Sequence, residues 1–131
     1  MKILIVDDMQ LMRHVLINML KKLGFNEFVE ASDGVKALTL LHQQDFDLVI
    51  SDLYMPNMDG KSLLNEIRND VKLASIPVLM VTCEDDRIAV KEIIAAKVTG
   101  FIIKPFNFKI LSTQLKFIHE KTNSIHVFPL L

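Results

Sequence analysis

The stretch FDLVISDLYMPNMDG, residues 46–60, is the most informative part of this chain of 131 residues. The short apolar run LVIS ends at an aspartate, Asp52, and a loop that contains proline and glycine follows it. An apolar run bounded by polar and turn residues is typical of a buried strand in a parallel sheet. Because open α/β sheets bind ligands at the carboxyl ends of their strands, Asp52 is predicted to lie at a binding edge.

Three further apolar runs end in polar residues in the same way. KILIV precedes Asp7 and Asp8, PVLMV precedes Thr82, and GFII precedes Lys104. Taken singly, each residue has an ordinary structural explanation as a turn residue, a helix cap or a solvated side chain. Four strands that all end in this way favour a shared site instead, in which three carboxylates, a hydroxyl and an ammonium meet.

Helical segments alternate with these strands, and the five β-α repeats predict a doubly wound five-stranded parallel sheet of the α/β class. The alternation alone does not give the strand order. A flavodoxin-like (βα)5 arrangement with order 2-1-3-4-5 would bring the four polar strand ends together. Helical spacing predicts the apolar faces of the first two helices, which are Leu11, Val15, Met19 and Leu23, and Val35, Leu38 and Leu41. The remaining elements are predicted at 28–31, 62–70, 86–96, 101–103 and 108–121.

Composition excludes several classes of function. The net charge of −1 provides no basic excess for nucleic-acid binding, and the apolar runs are shorter than the ~20 residues of a membrane span. The first residues, MKILIVDD, do not resemble a secretion signal. A single cysteine, Cys83, fits a reducing cytoplasm. We therefore expect a cytoplasmic protein, either a monomer or a weak homodimer.

The residue types at the predicted site suit phosphoryl chemistry. Mg²⁺ prefers hard oxygen ligands, and a divalent cation relieves the repulsion between crowded carboxylates. A carboxylate such as Asp52 can attack phosphorus and form an aspartyl phosphate. In such a transfer the protein mainly positions groups and neutralises charge, which Mg²⁺, Lys104 and the Thr82 hydroxyl could do.

The segments ILIVDD, DLVISDLYMPNMDG, PVLMVT and GFIIKPF resemble the receiver domain of two-component response regulators, in particular the stand-alone CheY-like type. The resemblance covers nearly the whole chain. It predicts a receiver domain over residues 1–121, followed by an apolar tail of unknown role, residues 122–131.

The resemblance implies roles for the carboxylates and for the metal. Asp52 is the predicted phosphoacceptor. Direct Mg²⁺ ligands would be Asp8, Asp52 and the backbone carbonyl of Tyr54, with Asp7 acting through water, and Mn²⁺ could substitute for Mg²⁺.

The resemblance also implies a switch. Thr82 would be the switch hydroxyl, Lys104 the cation that binds the phosphoryl group, and Phe101 the aromatic residue that turns inward. A cis peptide is expected between Lys104 and Pro105. The phosphoryl group would come from a histidine kinase or a phosphotransfer protein. The target protein would bind the face formed by the fourth helix, fifth strand and fifth helix.

Several positions depart from the family's pattern. Tyr54 is bulky and is expected to hinder attacking water, so that the phosphoryl group is lost slowly. Cys83 and Glu84 are expected to modulate access to the site. Lys97 stands where the family commonly has glycine, which would strain a left-handed backbone there. In the same region Val90, Ile93 and Ile94 cannot all face the core, so apolar surface is expected on the fourth helix.

Other functions remain as alternatives to a switch that catalyses only its own phosphoryl transfer and dephosphorylation. One is a degenerate receiver that binds partners without phosphate. Another is an aspartate-nucleophile phosphatase of the haloacid-dehalogenase type. That class places a second aspartate two residues after its nucleophile, where this chain has Tyr54. A flavin-binding protein is disfavoured because no Gly/Ser/Thr-rich loop follows the first strand. The sequence leaves the kinase, the target and the pathway open, chemotaxis or a phosphorelay included.

Overall fold

The computed structural model describes residues 1–83 and 87–122, so the predicted roles of Glu84 and of the tail beyond Thr122 lie outside the described residues. Strands and helices alternate throughout this part of the chain. The strands are β1 (Lys2–Val6), β2 (Glu27–Ala31), β3 (Leu48–Asp52), β4 (Val78–Cys83) and β5 (Gly100–Lys104). The helices are α1 (Gln10–Lys22), α2 (Gly34–Gln43), α3 (Gly60–Asn69), α4 (Arg87–Ala95) and α5 (Phe108–Thr122).

The described strands form one parallel sheet in the order β2-β1-β3-β4-β5, which confirms the predicted fold class and strand order. The register places Val6 opposite Ser51, and Asp52 opposite Val81. At the next strand, Cys83 lies opposite Lys104. The carboxyl ends of β1, β3, β4 and β5 therefore meet at one edge of the sheet.

Apolar side chains cover both faces of the sheet. One cluster joins the sheet to α1 and α5, and a second joins it to α2, α3 and α4. The helices on the first face contribute Leu16, Ile17, Leu20, Leu111, Leu115 and Ile118. The helices on the second face contribute Ala37, Leu41, Leu63, Leu64, Ile67 and Ile93. Both faces of the inner strands β1, β3 and β4 are thus buried, which explains why these strands have continuous apolar runs rather than alternating patterns.

The predicted apolar face of α1 is only partly right, since Leu23 is buried and Met19 packs against the core, but its first two residues are not in the core. Leu11 is 69% exposed and Val15 is exposed, whereas Leu16, Ile17 and Leu20 face the sheet. The helix has apolar residues on two sides, so helical spacing alone allows more than one stripe, and the position of the sheet selects between them. The alternative stripe is left partly in solvent.

In α2, too, the side chains that face the sheet differ in part from the predicted apolar face. Leu41 is buried as predicted, but Val35 is exposed and the small residue Ala37 is fully buried. The helices α2 and α3 begin at Gly34 and Gly60, because Asp33 and Asp59 cap their first turns.

The turn after α4 has the left-handed backbone that the sequence suggested. Lys97 has φ of 66°, which strains a residue other than glycine by about 1 kcal/mol. Its carbonyl accepts a hydrogen bond of 2.9 Å from Nε of Arg68. The same guanidinium donates to the Ile76 carbonyl at 2.7 Å and to the Thr99 hydroxyl at 3.1 Å. Burial of this guanidinium lowers the pKa of Arg68. Through these hydrogen bonds, Arg68 stabilises the turns that precede β4 and β5.

No helix in residues 1–83 and 87–122 is both long and apolar enough to cross a membrane.

Candidate functional site

Three aspartates meet at the carboxyl edge of the sheet. Asp7 and Asp8 follow β1, and Asp52 ends β3, the strand beside it. One carboxylate oxygen from each of the three lies within 4.8 Å of the others. Asp7 and Asp52 are largely buried, whereas Asp8 is exposed. The structure thus brings together the three carboxylates that the strand ends predicted.

Lys104 reaches the same cluster from β5. Its ammonium nitrogen lies 3.3 Å from Oδ1 of Asp52 and 3.8 Å from Oδ2 of Asp7. The peptide bond between Lys104 and Pro105 is cis, as expected. Lys104 places a positive charge beside two buried carboxylates, and a second cation nearby would neutralise the remaining negative charge.

Burial dominates the electrostatics of the cluster. It raises the pKa of Asp52, and the ammonium of Lys104 opposes that rise. Burial also raises the pKa of Asp7, opposed mainly by a hydrogen bond of 2.8 Å from the backbone N–H of Met9. The neighbouring aspartates repel each other and add to both shifts. Crowded, partly desolvated carboxylates of this kind gain free energy when a cation binds.

The donor set of the cluster fits a hard divalent cation. Carboxylate oxygens are the ligands that Mg²⁺ prefers, and exposed Asp8 leaves one side of the cluster open to water, which Mg²⁺ retains when it binds proteins. The aspartates could therefore hold a metal ion. The backbone carbonyl of Tyr54 stays a predicted ligand.

Backbone groups fix the orientation of Asp52. The N–H of Leu53 donates to Oδ1 of Asp52 at 2.9 Å, and the Ser51 hydroxyl donates to the Asp52 carbonyl at 2.8 Å. The Leu53 N–H also contacts the Val81 carbonyl at 3.0 Å, which couples the end of β3 to β4. The carboxylate that the sequence predicts as phosphoacceptor therefore occupies a fixed position.

Thr82 and Cys83 end β4 beside this carboxylate. Asp52 pairs with Val81 in the register, so Thr82 stands one residue further along the neighbouring strand. Thr82 is fully buried, and its hydroxyl lies 3.5 Å from the Cys83 carbonyl. Cys83 is exposed and lies opposite Lys104. Thr82 is thus placed near the cluster, while its switch role and the access role of Cys83 stay predictions.

Tyr54 lies on the α3–α4 side of the site. The residue is 51% exposed, and it lines a surface pocket of ≈ 310 Å³ together with Lys61, Ile88 and Glu92. Lys61 and Glu92 form an ion pair across this pocket. The predicted effect of Tyr54 on attacking water stays a prediction.

The loop after Asp52 is held by contacts that sequence reasoning missed. The Asn57 amide donates to Oδ2 of Asp33 at 2.8 Å, and Asn57 has a left-handed φ of 68°. The Gly60 N–H donates to the Leu53 carbonyl at 2.7 Å. A Cβ atom at Gly60 would lie 2.3 Å from the Asp52 carbonyl oxygen, so only glycine fits there. The loop therefore depends on a distant aspartate and a local glycine.

Arg13 is another residue that sequence reasoning missed. From α1 its guanidinium donates to the Asp7 carbonyl at 2.6 Å and to the Glu30 carboxylate at 2.9 Å. These bonds tie the start of the Asp7-Asp8 turn to α1 and β2. An apolar helix with an arginine one turn after an Asp-Asp pair carries no distinctive signal, because the contact depends on how the helix packs.

An apolar groove runs along the open side of β5, on the face predicted to bind a target. We call it the β5 groove. It has a volume of ≈ 560 Å³ and is lined by Ile94, Val98, Thr99, Gly100, Phe101, Ile102, Ile103, Ile110, Gln114, Phe117 and Lys121. The predicted switch residue Phe101 is half-buried and contacts the cluster under α4. The expected apolar surplus of α4 is present too, since Ile93 is fully buried and Ile94 is 55% exposed.

Comparison with known proteins identifies the family to which this site belongs. The profile of the response regulator receiver domain matches residues 3–116. The chain belongs to the receiver domain family. The resemblance seen in the motifs is thereby confirmed, and the sheet order 2-1-3-4-5 is the receiver fold.

The chain aligns with similar proteins over nearly its whole length. This chain is 44% identical over 123 residues to the chemotaxis protein CheY of Pseudomonas aeruginosa, and the alignment covers 94% of this chain and 99% of the relative. It is 47% identical over 121 residues to the chemotaxis protein CheY-3 of Vibrio cholerae, covering 92% and 93%. Among solved structures, the chemotaxis response regulator CheY4 of Vibrio cholerae superposes with a TM-score of 0.81 at 33% identity, covering 89% of this chain and 97% of that one.

Proposed function

We propose that this receiver domain is a phosphorylation-dependent signalling switch that accepts a phosphoryl group on Asp52. The observation that carries the proposal is the convergence of Asp7, Asp8 and the Lys104 ammonium on the Asp52 carboxylate. The donor would be a histidine kinase or a phosphotransfer protein. The switch would act in the cytoplasm, the location that the sequence predicts and the side on which a histidine kinase meets ATP.

Asp52 would act as the nucleophile. One of its carboxylate oxygens forms a bond to phosphorus while the bond from phosphorus to the donor nitrogen breaks, and the leaving nitrogen takes up a proton. The hydrogen bond from Leu53 N–H keeps the carboxylate oriented during the attack. The ammonium nitrogen of Lys104 lies 3.3 Å from Oδ1 of Asp52, where it would stabilise the negative charge on the phosphoryl oxygens.

Mg²⁺ would be held directly by Asp8, Asp52 and the Tyr54 carbonyl, with Asp7 acting through water. When bound it would supply positive charge beside the transferring group, in addition to that of Lys104. The crowding of the three carboxylates supports this part of the proposal, because it makes cation binding favourable.

Phosphorylation would change the face around β5. In the switch hypothesis the Thr82 hydroxyl donates to a phosphoryl oxygen and moves toward Asp52, which leaves space for Phe101 to turn inward. The phosphoryl group need only bind this second state better than the first to shift the population. The half-buried position of Phe101 supports the hypothesis, since its ring can still gain burial.

The downstream partner would be a protein that binds α4, β5 and α5. The curated relatives are named as chemotaxis proteins, and this favours a chemotaxis pathway for the chain. The proposed function is not that of a turnover enzyme, because Tyr54 stands where a phosphatase of the haloacid-dehalogenase type carries its general acid.

Intact-mass measurement tests the proposal directly. Wild type is incubated with Mg²⁺ and either acetyl phosphate or phosphoramidate, beside Asp52→Asn and the matched control Asp33→Asn. Asp33 is a buried aspartate at the same sheet edge that does not belong to the carboxylate cluster. We expect one phosphoryl adduct in wild type and in Asp33→Asn, its loss with a chelator, and none in Asp52→Asn. No adduct from either donor or from a histidine kinase would favour a binding module that works without phosphate.

The decay of the adduct tests the role of Tyr54. If the ring obstructs attacking water, Tyr54→Asn loses its phosphoryl group faster than wild type. An equal or slower decay in Tyr54→Asn would remove the ring as the cause of slow dephosphorylation.

A further inference from the structure

Arg13 of α1 connects two segments that meet beside the carboxylate cluster. Its guanidinium donates to the Asp7 carbonyl at 2.6 Å and to the Glu30 carboxylate at 2.9 Å. The side chain is only 14% exposed, so the bond to the carbonyl is partly shielded from solvent. Arg13 also lines a small cavity together with Asp7, Asp52 and Lys104. It therefore lies next to the site without being one of the predicted ligands.

The backbone of Asp7 is held from two sides. Its N–H donates to the Ala31 carbonyl of β2 at 3.1 Å, and its carbonyl accepts the bond from Arg13. Glu30, the second partner of the guanidinium, immediately precedes Ala31 in β2. The Met9 N–H adds a bond of 2.8 Å to Oδ1 of Asp7. The peptide unit after Asp7 is thereby fixed against both α1 and β2.

Asp8 depends on this turn for its position. Its side chain is exposed, whereas Asp7 and Asp52 are largely buried and held by their surroundings. Mg²⁺ requires a nearly ideal octahedral arrangement of ligands, so a small displacement of one ligand lowers its affinity. A residue that fixes the peptide unit before Asp8 therefore fixes the position of a proposed metal ligand.

The effect of Arg13 on a bound cation would come from geometry and not from its charge. A guanidinium close to a metal site repels Mg²⁺, and the Glu30 carboxylate at 2.9 Å offsets that positive charge. The exposed His14 lies 3.5 Å from the same carboxylate oxygen, on the outside of the pair. Arg13 and Glu30 thus form a pair without net charge, which leaves the negative potential of the three aspartates available to a cation.

We infer that Arg13, itself held by Glu30, is a positioning residue for Mg²⁺ at the carboxylate cluster. The inference rests on the proposed function, which assigns the cation to Asp8 and Asp52. Arginine suits this role because its planar guanidinium donates to a carbonyl and a carboxylate in one fixed geometry, whereas a lysine ammonium is a point charge on a flexible stem. Loss of such a supporting partner typically weakens metal binding 10- to 100-fold, and a loss of about tenfold is expected here.

Mg²⁺ titration of the ¹⁵N-labelled chain, without any phosphodonor, tests the inference. The amide resonances of Asp8 and Leu53 report occupancy, and the Kd is compared between wild type, Arg13→Ala and Arg13→Lys. We expect the Kd to rise about tenfold in Arg13→Ala and to rise in Arg13→Lys as well, since lysine keeps the charge but loses the paired hydrogen bonds. In the metal-free chain the Met9 amide should exchange faster with solvent in both variants.

Two control variants separate positioning from a general loss of stability. His14→Ala removes the other α1 side chain that lies close to Glu30. Arg68→Ala removes a second arginine that donates to backbone carbonyls, but its partners lie in the turns before β4 and β5, at the opposite edge of the sheet. Both controls should keep the wild-type Kd, and Arg68→Ala should do so even though its free energy of unfolding falls.

Several outcomes would overturn the inference. An unchanged Kd in Arg13→Ala would remove the positioning role, and tighter binding would assign to Arg13 only the repulsion of its charge. A wild-type Kd in Arg13→Lys would show that the paired hydrogen bonds are not required. An equal loss in Arg68→Ala would ascribe the effect to stability. If wild type itself binds no Mg²⁺, the metal assignment of the proposed function fails together with this inference, whereas any other negative outcome refutes the inference alone.

Discussion

Asp33 and Asp52 are both aspartates at the carboxyl edge of the sheet, yet their carboxyl groups have opposite pKa shifts. Asp33 accepts hydrogen bonds from the Lys36 N–H and the Asn57 amide, both at 2.8 Å, and these lower its pKa. Burial raises the pKa of Asp52, even with Lys104 close by. The Asp33 carboxylate is stabilised by hydrogen bonds from the protein, whereas the Asp52 carboxylate lies in a cluster whose free energy would be lowered by a bound cation.

The difference separates an aspartate with a structural role, Asp33, from one proposed to have a functional role, Asp52. Asp33 caps α2 and holds the loop after β3 through Asn57, so its charge is used within the fold. Burial, with a smaller contribution from the charge of Asp8, makes the charge of Asp52 unfavourable. Four predictions test this contrast, in order of decreasing effect.

Removal of the Lys104 ammonium should have the largest effect. Lys104→Ala is expected to slow phosphorylation of Asp52 by small phosphodonors about 10²–10³-fold, the usual loss when one preorganised charge is removed from a transition state. The matched change Lys36→Ala, beside Asp33, should leave the rate unchanged. Rates come from intact-mass time courses, and a similar loss in both variants would refute the contrast.

Mg²⁺ should stabilise the fold through the cluster around Asp52 and not through Asp33. At a free Mg²⁺ concentration about 100 times the Kd, ligand linkage raises the free energy of unfolding by roughly 2.7 kcal/mol. Urea unfolding with and without Mg²⁺ should show this gain in wild type and in Asp33→Asn, and little of it in Asp52→Asn. A full gain in Asp52→Asn would place the metal elsewhere.

The two aspartates should differ in their own contribution to stability without Mg²⁺. Asp33→Ala loses an N-cap and leaves Asn57 without its acceptor, so it should cost about 1–2 kcal/mol of unfolding free energy. Asp52→Asn removes an unfavourable charge and should raise the free energy of unfolding at neutral pH. Chemical denaturation in chelator at pH 7 measures both, and destabilisation by Asp52→Asn would contradict the expected sign.

The pH dependence should be the smallest effect and should have opposite signs at the two positions. The pKa of Asp33 is lowered in the fold, so its stabilisation is present above the ordinary value of 3.8 and is lost as the pH falls through the folded-state pKa. The pKa of Asp52 is raised, so its cost is present at neutral pH and is relieved as the pH falls toward 3.8.

Measurements in chelator should therefore show the gain from Asp52→Asn shrinking as the solution is acidified. The loss from Asp33→Asn should persist down to about the ordinary Asp pKa and shrink only below it. Parallel pH profiles for the two variants would mean that their environments do not differ as the structure indicates.

The sequence was sufficient to predict the strand order and the meeting of Asp7, Asp8, Asp52 and Lys104. Each of those residues ends an apolar run, and a parallel sheet brings such ends together whatever the details of the helices. The strand order was predicted from the receiver-like motifs, because the alternation of strands and helices alone left it open.

The side-chain contacts that sequence reasoning missed depend on how separate elements pack together. Asn57 reaches Asp33 across the sheet edge, and Arg13 reaches the Asp7 carbonyl from α1. Leu11 and Val15 were wrongly assigned to the buried face of α1 because the helix has apolar residues on two sides, and only its packing on the sheet decides between them. The roles of Thr82, Phe101 and Tyr54 require a phosphorylated state, and they stay predictions.

Cys83, the chain's only cysteine, is exposed at the end of β4 and lies opposite Lys104. A thiol-reactive fluorophore would therefore attach at a single place, one residue after Thr82, without any engineered cysteine. The wild-type chain thus contains a natural labelling position, from which emission would report on occupancy of the carboxylate cluster in real time.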